Sequence, residues 1–233
     1  MIDPKIIPLD SARFTITQWS WPFASERRAE IDAHFAARLA KTPELWNGRV
    51  LLLRDYAFAG RELTGTFFET DFAAFTLWRD LGCPEVDAFN CFAMGALRGS
   101  DGAYLLGVMA QHTATPGRIY FPAGTPDLED VEGSTVDLGA NVLREMAEET
   151  SLTPADLTVE AGWTAVVIGT RIALMKLMQA REPADTLRTR ILTFLGGEKQ
   201  PELADIYIVR GRADFKPEMP PFVTVFMDHA LPR

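Results

Sequence analysis

Residues 144–152 constrain this chain more than any other segment, because they place three glutamates on one helical face. Glu145, Glu148 and Glu149 follow Arg144 at positions i, i+3 and i+4, and side chains at this spacing are neighbours on an α-helix. Like charges so placed repel each other by about 0.2–0.5 kcal/mol per pair. A hard divalent cation with oxygen ligands relieves that repulsion, and Mg²⁺ is the usual one beside phosphate groups. The pattern therefore predicts a metal site, and a solvated acidic helix surface is the simpler alternative.

The same residues resemble the second half of the Nudix box, G-x5-E-x7-R-E-U-x-E-E-x-G-U, in which U is a bulky apolar residue. Met146 and Leu152 occupy both U positions of this half. Upstream, residues 120–124 read Tyr-Phe-Pro-Ala-Gly and are similar to the F-P-G-G strand end that precedes the box in many Nudix hydrolases. The motif and its flank together are the basis of the resemblance to the Nudix hydrolase superfamily.

The chain departs from the box at two places. Counting back from Arg144 puts the first glutamate of the box on Val136 and its leading glycine on Asp130. If Gly124 is that glycine instead, the loop before the helix carries six extra residues. Five loop acids are candidates for the missing glutamate: Asp127, Glu129, Asp130, Glu132 and Asp137.

The second departure is Ser151, which stands where the box has glycine. Glycine usually ends a helix in the left-handed conformation, which a side chain disfavours. We expect Ser151 to alter the helix end and to leave the three carboxylates in place.

Composition narrows the class of partner. The net charge of -9 argues against nonspecific nucleic-acid binding, which needs a basic surface. It also means that an anionic substrate requires a local positive site. Cys83 and Cys91 match no zinc spacing, and the N-terminus has no apolar run typical of a signal peptide. No apolar run is long enough to span a bilayer. These features predict a cytoplasmic protein without a membrane or nucleic-acid partner.

Hydrophobic periodicity predicts an α/β fold in which helices enclose a mixed sheet. This agrees with the α/β/α sandwich, here with an N-terminal extension, that the Nudix resemblance implies. Residues 1–233 are interpreted as a single Nudix-type domain, with residues 1–89 as an N-terminal elaboration that carries no chemical motif. Predicted helices cover residues 25–41 (with Ser25 as N-cap), 71–81, 138–150, 185–195 and 220–229. Predicted strands cover residues 49–55, 62–69, 93–98, 103–109, 118–121, 157–161, 164–168 and 206–210, and residues 174–178 fit a strand or a helix.

The resemblance implies a metal-dependent hydrolase that cleaves the pyrophosphate bond of a nucleoside diphosphate linked to a group X. By position in the motif, Glu145 and Glu149 are the strongest metal ligands and Glu148 is the third, with Mg²⁺ or alternatively Mn²⁺. Glu145 is also a candidate for the base that takes a proton from water, and Arg144 is expected to orient and neutralise the glutamates. A later loop supplies a further carboxylate in many Nudix enzymes. Glu202 and Glu198 are candidates for it, and Arg98 and Arg118 are candidates for phosphate contacts, although a solvated surface position is the simpler explanation for all four.

The identity of X is left open by the sequence. The long loop after Phe121 is similar to the coenzyme A and acyl-CoA diphosphatase branch, whose Leu-Leu-Thr-x-Arg signature is only partly matched by Leu105 and Leu106. CoA and acyl-CoA are the first substrates to consider, and ADP-ribose or a dinucleotide such as NADH comes next. A protein that binds a nucleotide as a sensor without cleaving it is the alternative from a different functional class. Nudix proteins are often dimers, so a homodimer is also considered. The tryptophans that would serve either its interface or the core are Trp19, Trp21 and Trp46.

Overall fold

A computed structural model describes residues 3–84 and 87–232 of the chain, which form two β-sheets covered by helices. The helices are α1 (Pro22–Glu26), α2 (Arg28–Leu39), α3 (Phe72–Asp80), α4 (Leu138–Thr150), α5 (Ala184–Leu195) and α6 (Pro221–Ala230). The strands are β1 (Lys5–Leu9), β2 (Ser11–Ile16), β3 (Arg49–Ala59), β4 (Glu62–Asp71), β5 (Asn90–Arg98), β6 (Tyr104–Met109), β7 (Ile119–Tyr120), β8 (Val131–Glu132), β9 (Thr135–Val136), β10 (Leu157–Val159), β11 (Trp163–Ile168), β12 (Arg171–Ala180) and β13 (Leu203–Val209).

The larger sheet is mixed and lies between helices on both faces. Its order is β1-β11-β12-β5-β6-β13, with β10 beside β12 and β7 beside β6. The central strands β5 and β12 run parallel, whereas their other neighbours are antiparallel. Alternate residues of β5 point to opposite faces: Ala93 and Leu97 share a core with α4 and α5, whereas Met94 and Ala96 share one with α6. The predicted α/β/α sandwich is confirmed.

The smaller sheet belongs mainly to the N-terminal region and has the order β3-β4-β2-β9-β8. Its inner side chains, including Phe14 and Phe67, join the core under the larger sheet. Its outer face is covered by α1, α2 and α3, where Trp21 and Trp78 pack around Phe68. Trp21 is therefore a core residue, whereas Trp46 is 65% exposed.

The N-terminal strands are interleaved with the rest of the chain. β1 pairs antiparallel with β11 at the edge of the larger sheet, and β2 pairs with β9 directly before α4. We propose that residues 1–233 form one domain, because separating residues 1–89 would leave both sheets with broken strand pairs. A single cooperative transition in urea, the same by fluorescence and by circular dichroism, is the expected result.

Most predicted elements are present, and the differences have local causes. The helix predicted over residues 25–41 is split at Arg27, whose φ of -109° and ψ of 22° end α1, so the prediction that Ser25 is its N-cap is wrong. Ser25 lies inside α1 and donates its hydroxyl to the carbonyl of Pro22. Residues 174–178 are strand, within β12. Among the described residues, no helix is both long and apolar enough to cross a membrane.

Candidate metal centre and active site

Helix α4 carries the acidic motif and is anchored at both ends. Asp137 caps its start by accepting hydrogen bonds from the N–H groups of Gly139 and Ala140, at 2.8 and 2.9 Å. Val142 and Met146 bury the opposite face against the larger sheet. The Met146 side chain packs where Gly95 has no Cβ. This packing leaves the glutamates beside the loop at residues 123–124.

The C-terminal end of α4 retains the backbone conformation that glycine would normally supply. Ser151 has a φ of 60° and a ψ of 7°, in the left-handed region, and its N–H donates to the carbonyl of Ala147. The expectation that the carboxylates keep their places despite this serine agrees with the regular helix as far as Thr150.

Ser151→Gly is expected to stabilise the protein by about 1 kcal/mol, because glycine adopts a positive φ without strain. The free energy of unfolding measured in urea checks this. Ser151→Ala serves as the matched control, since alanine keeps the Cβ and should bring no gain. A glycine variant no more stable than the alanine variant would contradict the account.

Glu149 is the most deeply buried carboxylate of the motif. Its residue is 6% exposed, and its carboxylate accepts a hydrogen bond from the backbone N–H of Ala123. The Oε2 atom has no hydrogen-bond partner among the described residues. Burial, followed by the charges of Glu145 and Glu202, raises the pKa of Glu149 well above its ordinary value. A buried oxygen without a partner is costly, which makes this atom suited to a cationic ligand.

Glu145 lies against the loop at Gly124. Its side chain is 13% exposed, and its Oε1 is 2.9 Å from Nη1 of Arg144. Burial raises the pKa of Glu145 to about 7, although the Arg144 charge opposes that rise. A Cβ on Gly124 would lie 2.1 Å from Oε1 of Glu145. Only glycine therefore allows the carboxylate to occupy this position.

Asp130 is the loop acid that the sequence could not single out. Its side chain is 2% exposed, and its Oδ1 is 3.1 Å from Nη2 of Arg144. Its Oδ2 accepts hydrogen bonds from Nδ2 of Asn141 and from the N–H of Asp127, at 2.9 and 3.0 Å. Burial raises the pKa of Asp130 despite these partners. Val136, the residue in strict register with the missing glutamate, is a buried core residue of β9.

Asp130→Asn is expected to destabilise the fold by about 1–3 kcal/mol, because Arg144 loses a partly buried partner. The free energy of unfolding in urea measures the effect. Glu132→Gln, in the same loop but at an exposed position, is the matched control and should change stability by less than about 0.5 kcal/mol. Equal effects of the two substitutions would show that Asp130 does not hold Arg144.

The remaining candidates are distributed around this cluster. Glu148 is 59% exposed and receives a hydrogen bond from Arg144 at 3.4 Å. The charge of Glu202 raises the pKa of both Glu145 and Glu149, which places it among their electrostatic neighbours. In the part of the chain that the structure describes, the Glu198 side chain forms no hydrogen bond or ion pair with this cluster. Arg98 is used structurally, since its Nε donates to the carbonyl of Gly102 and its guanidinium lies over the Tyr104 ring.

The donor set fits a hard divalent cation. Among the described residues, Glu149 offers a buried carboxylate oxygen without a hydrogen-bond partner. Glu145 lies beside it, with one carboxylate oxygen held by Arg144. All of these donor atoms are carboxylate oxygens, which hard divalent cations prefer. As the side chains stand, residues 3–84 and 87–232 contain no group of three acidic, histidine or cysteine side chains arranged to hold a metal ion. Glu145 faces Arg144 instead, so metal binding would require this carboxylate to exchange Arg144 for the cation.

Comparison with known proteins yields structures but no sequence relatives. No protein-family model and no curated protein matches the sequence. Three similar solved structures are a Nudix hydrolase, RenU, from M. smegmatis, a MutT protein from Methanosarcina mazei and a variant of the Bacillus subtilis pyrophosphohydrolase BsRppH. The likeness is one of fold.

The first shares 18% identity over 60% of this chain and 80% of its own, with a TM-score of 0.38. The second shares 14% identity over 61% of this chain and 92% of its own, with a TM-score of 0.40. The third shares 15% identity over 55% of this chain and 64% of its own, with a TM-score of 0.30. The first of these proteins, RenU, is a Nudix hydrolase, the family that the motif resembles. At these identities and TM-scores the likeness carries no argument about chemistry, which rests on the carboxylates themselves.

Proposed function

We propose that this protein is a metal-dependent hydrolase of the Nudix type, which cleaves the pyrophosphate bond of a nucleoside diphosphate linked to a group X. The observation that carries the proposal is Oε2 of Glu149, a buried carboxylate oxygen beside Glu145 that has no hydrogen-bond partner among the described residues. A purely structural helix has no reason to bury a repelling pair of carboxylates, since each unmatched charge costs stability.

The proposed ligands are Glu145 and Glu149, with the exposed Glu148 as third, for Mg²⁺ or alternatively Mn²⁺. When bound, the cation would neutralise the diphosphate and lower the pKa of the attacking water. Arg144 holds Glu145 and Glu148 and is itself held by Asp130. It therefore neutralises and orients these carboxylates in the metal-free protein, would give up Glu145 to the cation, and does not need to contact the substrate.

The reaction adds one water molecule across the anhydride. The water oxygen bonds to one phosphorus, the bridging P–O bond breaks, and the water proton passes to a base, so that two monophosphates leave. Glu145 is the candidate base because it lies in the carboxylate cluster, and burial raises its pKa to about 7 in the metal-free protein. Glu145→Gln separates its two proposed functions. If the variant loses turnover but still binds the metal, Glu145 is the base. If it loses both turnover and metal binding, Glu145 is a metal ligand.

CoA or acyl-CoA is the leading substrate proposal, and ADP-ribose or NADH is the alternative. A panel of these compounds and nucleoside triphosphates, incubated with Mg²⁺ and followed by mass spectrometry, tests the proposal. The expected result is cleavage of one class into two monophosphates, absent with chelator. Metal binding without cleavage of any compound would favour a nucleotide-binding sensor, and no metal binding would overturn the proposal.

We further propose a small-molecule, nucleotide-derived partner and a cytoplasmic location. Both cysteines are free and buried, which agrees with a reducing compartment. A homodimer stays a proposal, and sedimentation of the full chain at several concentrations tests it.

A further inference from the structure

A cavity of about 570 Å³ opens next to the carboxylate cluster. Ala123 and Gly124 line it, and these are the residues that contact Glu149 and Glu145. Tyr120 also lines it, and the charges of Glu149, Glu202 and Arg79 all act on the Tyr120 hydroxyl. A substrate whose diphosphate lies at the carboxylates would therefore extend one of its ends into this cavity.

The cavity is positively charged in a chain whose net charge is -9. Four arginines and one aspartate line it: Arg38, Arg79, Arg118, Arg171 and Asp80. Their formal charges add to +3. Asp80 is shared, since its Oδ2 is 2.7 Å from Nη1 of Arg38 and its Oδ1 is 3.5 Å from Nε of Arg79. In the described part of the chain, Arg118 and Arg171 form no ion pair with a carboxylate.

Two of the four arginines, together with Asp80, belong to the N-terminal region. Arg38 is on α2 and Arg79 is near the end of α3. Nη2 of Arg38 donates to the carbonyl of Ala114 at 3.1 Å, which fixes the guanidinium at the cavity wall, while its buried Nε has no partner among the described residues. Arg79 is only 22% exposed, and it lies over the Phe75 ring with a centroid distance of 5.6 Å. Loss of water around it lowers the pKa of Arg79.

The rest of the wall is aromatic and apolar. Phe92 and Phe222 line it and meet edge to face, with ring centroids 5.2 Å apart. Fixed guanidinium groups bind phosphate oxygens through paired hydrogen bonds, and aromatic side chains stack on planar rings. The proposed function places the two phosphates of the anhydride at the carboxylates. Asp80 is the one carboxylate shared by Arg38 and Arg79, so the four arginines of this cavity still carry an excess of positive charge.

We propose that the N-terminal helices α2 and α3 form a specificity site for a further phosphate group of the substrate, beyond the two phosphates of the anhydride that is cleaved. This inference rests on the proposed function, and it assigns to the N-terminal region a direct contact with substrate. The phosphate is carried either on the ribose of the nucleoside or on X, and matched compounds distinguish the two sources.

The kinetic experiment compares pairs of compounds that differ by one phosphate. NADPH against NADH tests a phosphate on the ribose, and ADP-ribose 1″-phosphate against ADP-ribose tests a phosphate on X. In one pair, the wild-type protein should prefer the phosphate-bearing member by about tenfold or more in kcat/KM, as hydrogen bonds to a charged group allow. Arg38→Gln should reduce that ratio by about tenfold. A ratio near one in both pairs would overturn the inference while leaving the hydrolase proposal intact.

A binding experiment keeps the inference testable when no hydrolysis is found. The full chain in chelator is titrated calorimetrically with adenosine 3′,5′-bisphosphate against AMP, and with ribose 1,5-bisphosphate against ribose 5-phosphate. Tighter binding of one bisphosphate, weakened in Arg38→Gln, supports the site even if the enzyme proposal fails. Equal binding of both members of each pair would refute it.

Two further variants separate recognition from folding. Arg118→Gln removes an exposed arginine of the same cavity that has no ion pair, so it should weaken bisphosphate binding with an unchanged melting temperature. Arg212→Gln removes an arginine that pairs with Asp228 on the surface and does not line the cavity. It should leave unchanged the ratio of kcat/KM between the phosphate-bearing compound and its partner. A fall in this ratio as large as that in Arg38→Gln would show that the effect is nonspecific.

Discussion

Replacing Glu149 with glutamine is expected to reduce hydrolysis by about two orders of magnitude or more and, at the same time, to stabilise the metal-free protein. The loss follows because the amide removes the negative charge from the buried oxygen for which residues 3–84 and 87–232 provide no hydrogen-bond partner. The gain follows because the folded state no longer has to accommodate a carboxylate whose pKa is raised well above its ordinary value.

The sign of the stability change depends on pH. A carboxylate with a raised pKa binds its proton more tightly in the folded state than in the unfolded state, so its contribution to stability is lost as pH rises. For Glu145 this loss extends from its ordinary pKa of 4.5 up to about 7, and for Glu149 it continues in the same direction. We therefore expect the metal-free wild-type protein to lose stability between about pH 4.5 and 7, and Glu149→Gln to lose less.

Urea unfolding in chelator at pH 4.5, 6 and 7.5 measures this difference. The variant should match the wild type at the lowest pH and have a clearly higher free energy of unfolding than the wild type at the highest. Glu26→Gln, at an exposed position of α1, is the control and should show neither effect. A variant that is less stable than the wild type at pH 7.5 would refute the interpretation that the buried Glu149 carboxylate destabilises the metal-free fold.

Gly124→Ala is the second substitution with a large expected effect. A Cβ at this position would lie 2.1 Å from Oε1 and 2.3 Å from Cδ of Glu145, a distance that real contacts do not allow. The carboxylate must move by about an ångström or more, and displacements of that size at a reacting centre cost about 100-fold in rate. We expect kcat/KM on the substrate found in the panel to fall by about that factor.

Gly211→Ala is the matched control for this substitution. Nothing lies within 4 Å of a Cβ at Gly211, and its φ of -168° is extended backbone that alanine adopts freely. Its activity and melting temperature should remain close to those of the wild type. If Gly124→Ala retained full activity with a folded structure, Glu145 would not need its present position for the reaction.

The secondary structure of the site was largely predictable because its signals are local. Val142 and Met146 recur at helical spacing, and Asp137 provides a cap at the correct distance. The same holds for α3, which begins after Asp71 and ends before Gly82 with a φ of 87°. By contrast, the first two strands were missed. β1 contains Pro8, which normally argues against a strand and is tolerated here because β1 lies at the edge of its sheet.

The identity of the acid that holds Arg144 could not be predicted, because it depends on how a loop folds. Five acids were available, and only the 3₁₀ turn at Leu128–Asp130 with the short β8 and β9 pair brings Asp130 under the helix. The position of Glu202 raises the same difficulty, since β13 reaches the cluster only through its pairing with β6.

By itself the sequence determined the helix α4, the common face of its glutamates and the burial of its opposite face, since these depend on residues within a few turns of one another. Only the tertiary structure decided which groups surround that face. Asp130, Gly124, Glu202 and the arginines of α2 and α3 are distant in sequence, and their proximity depends on strand pairing and loop packing that no local pattern records.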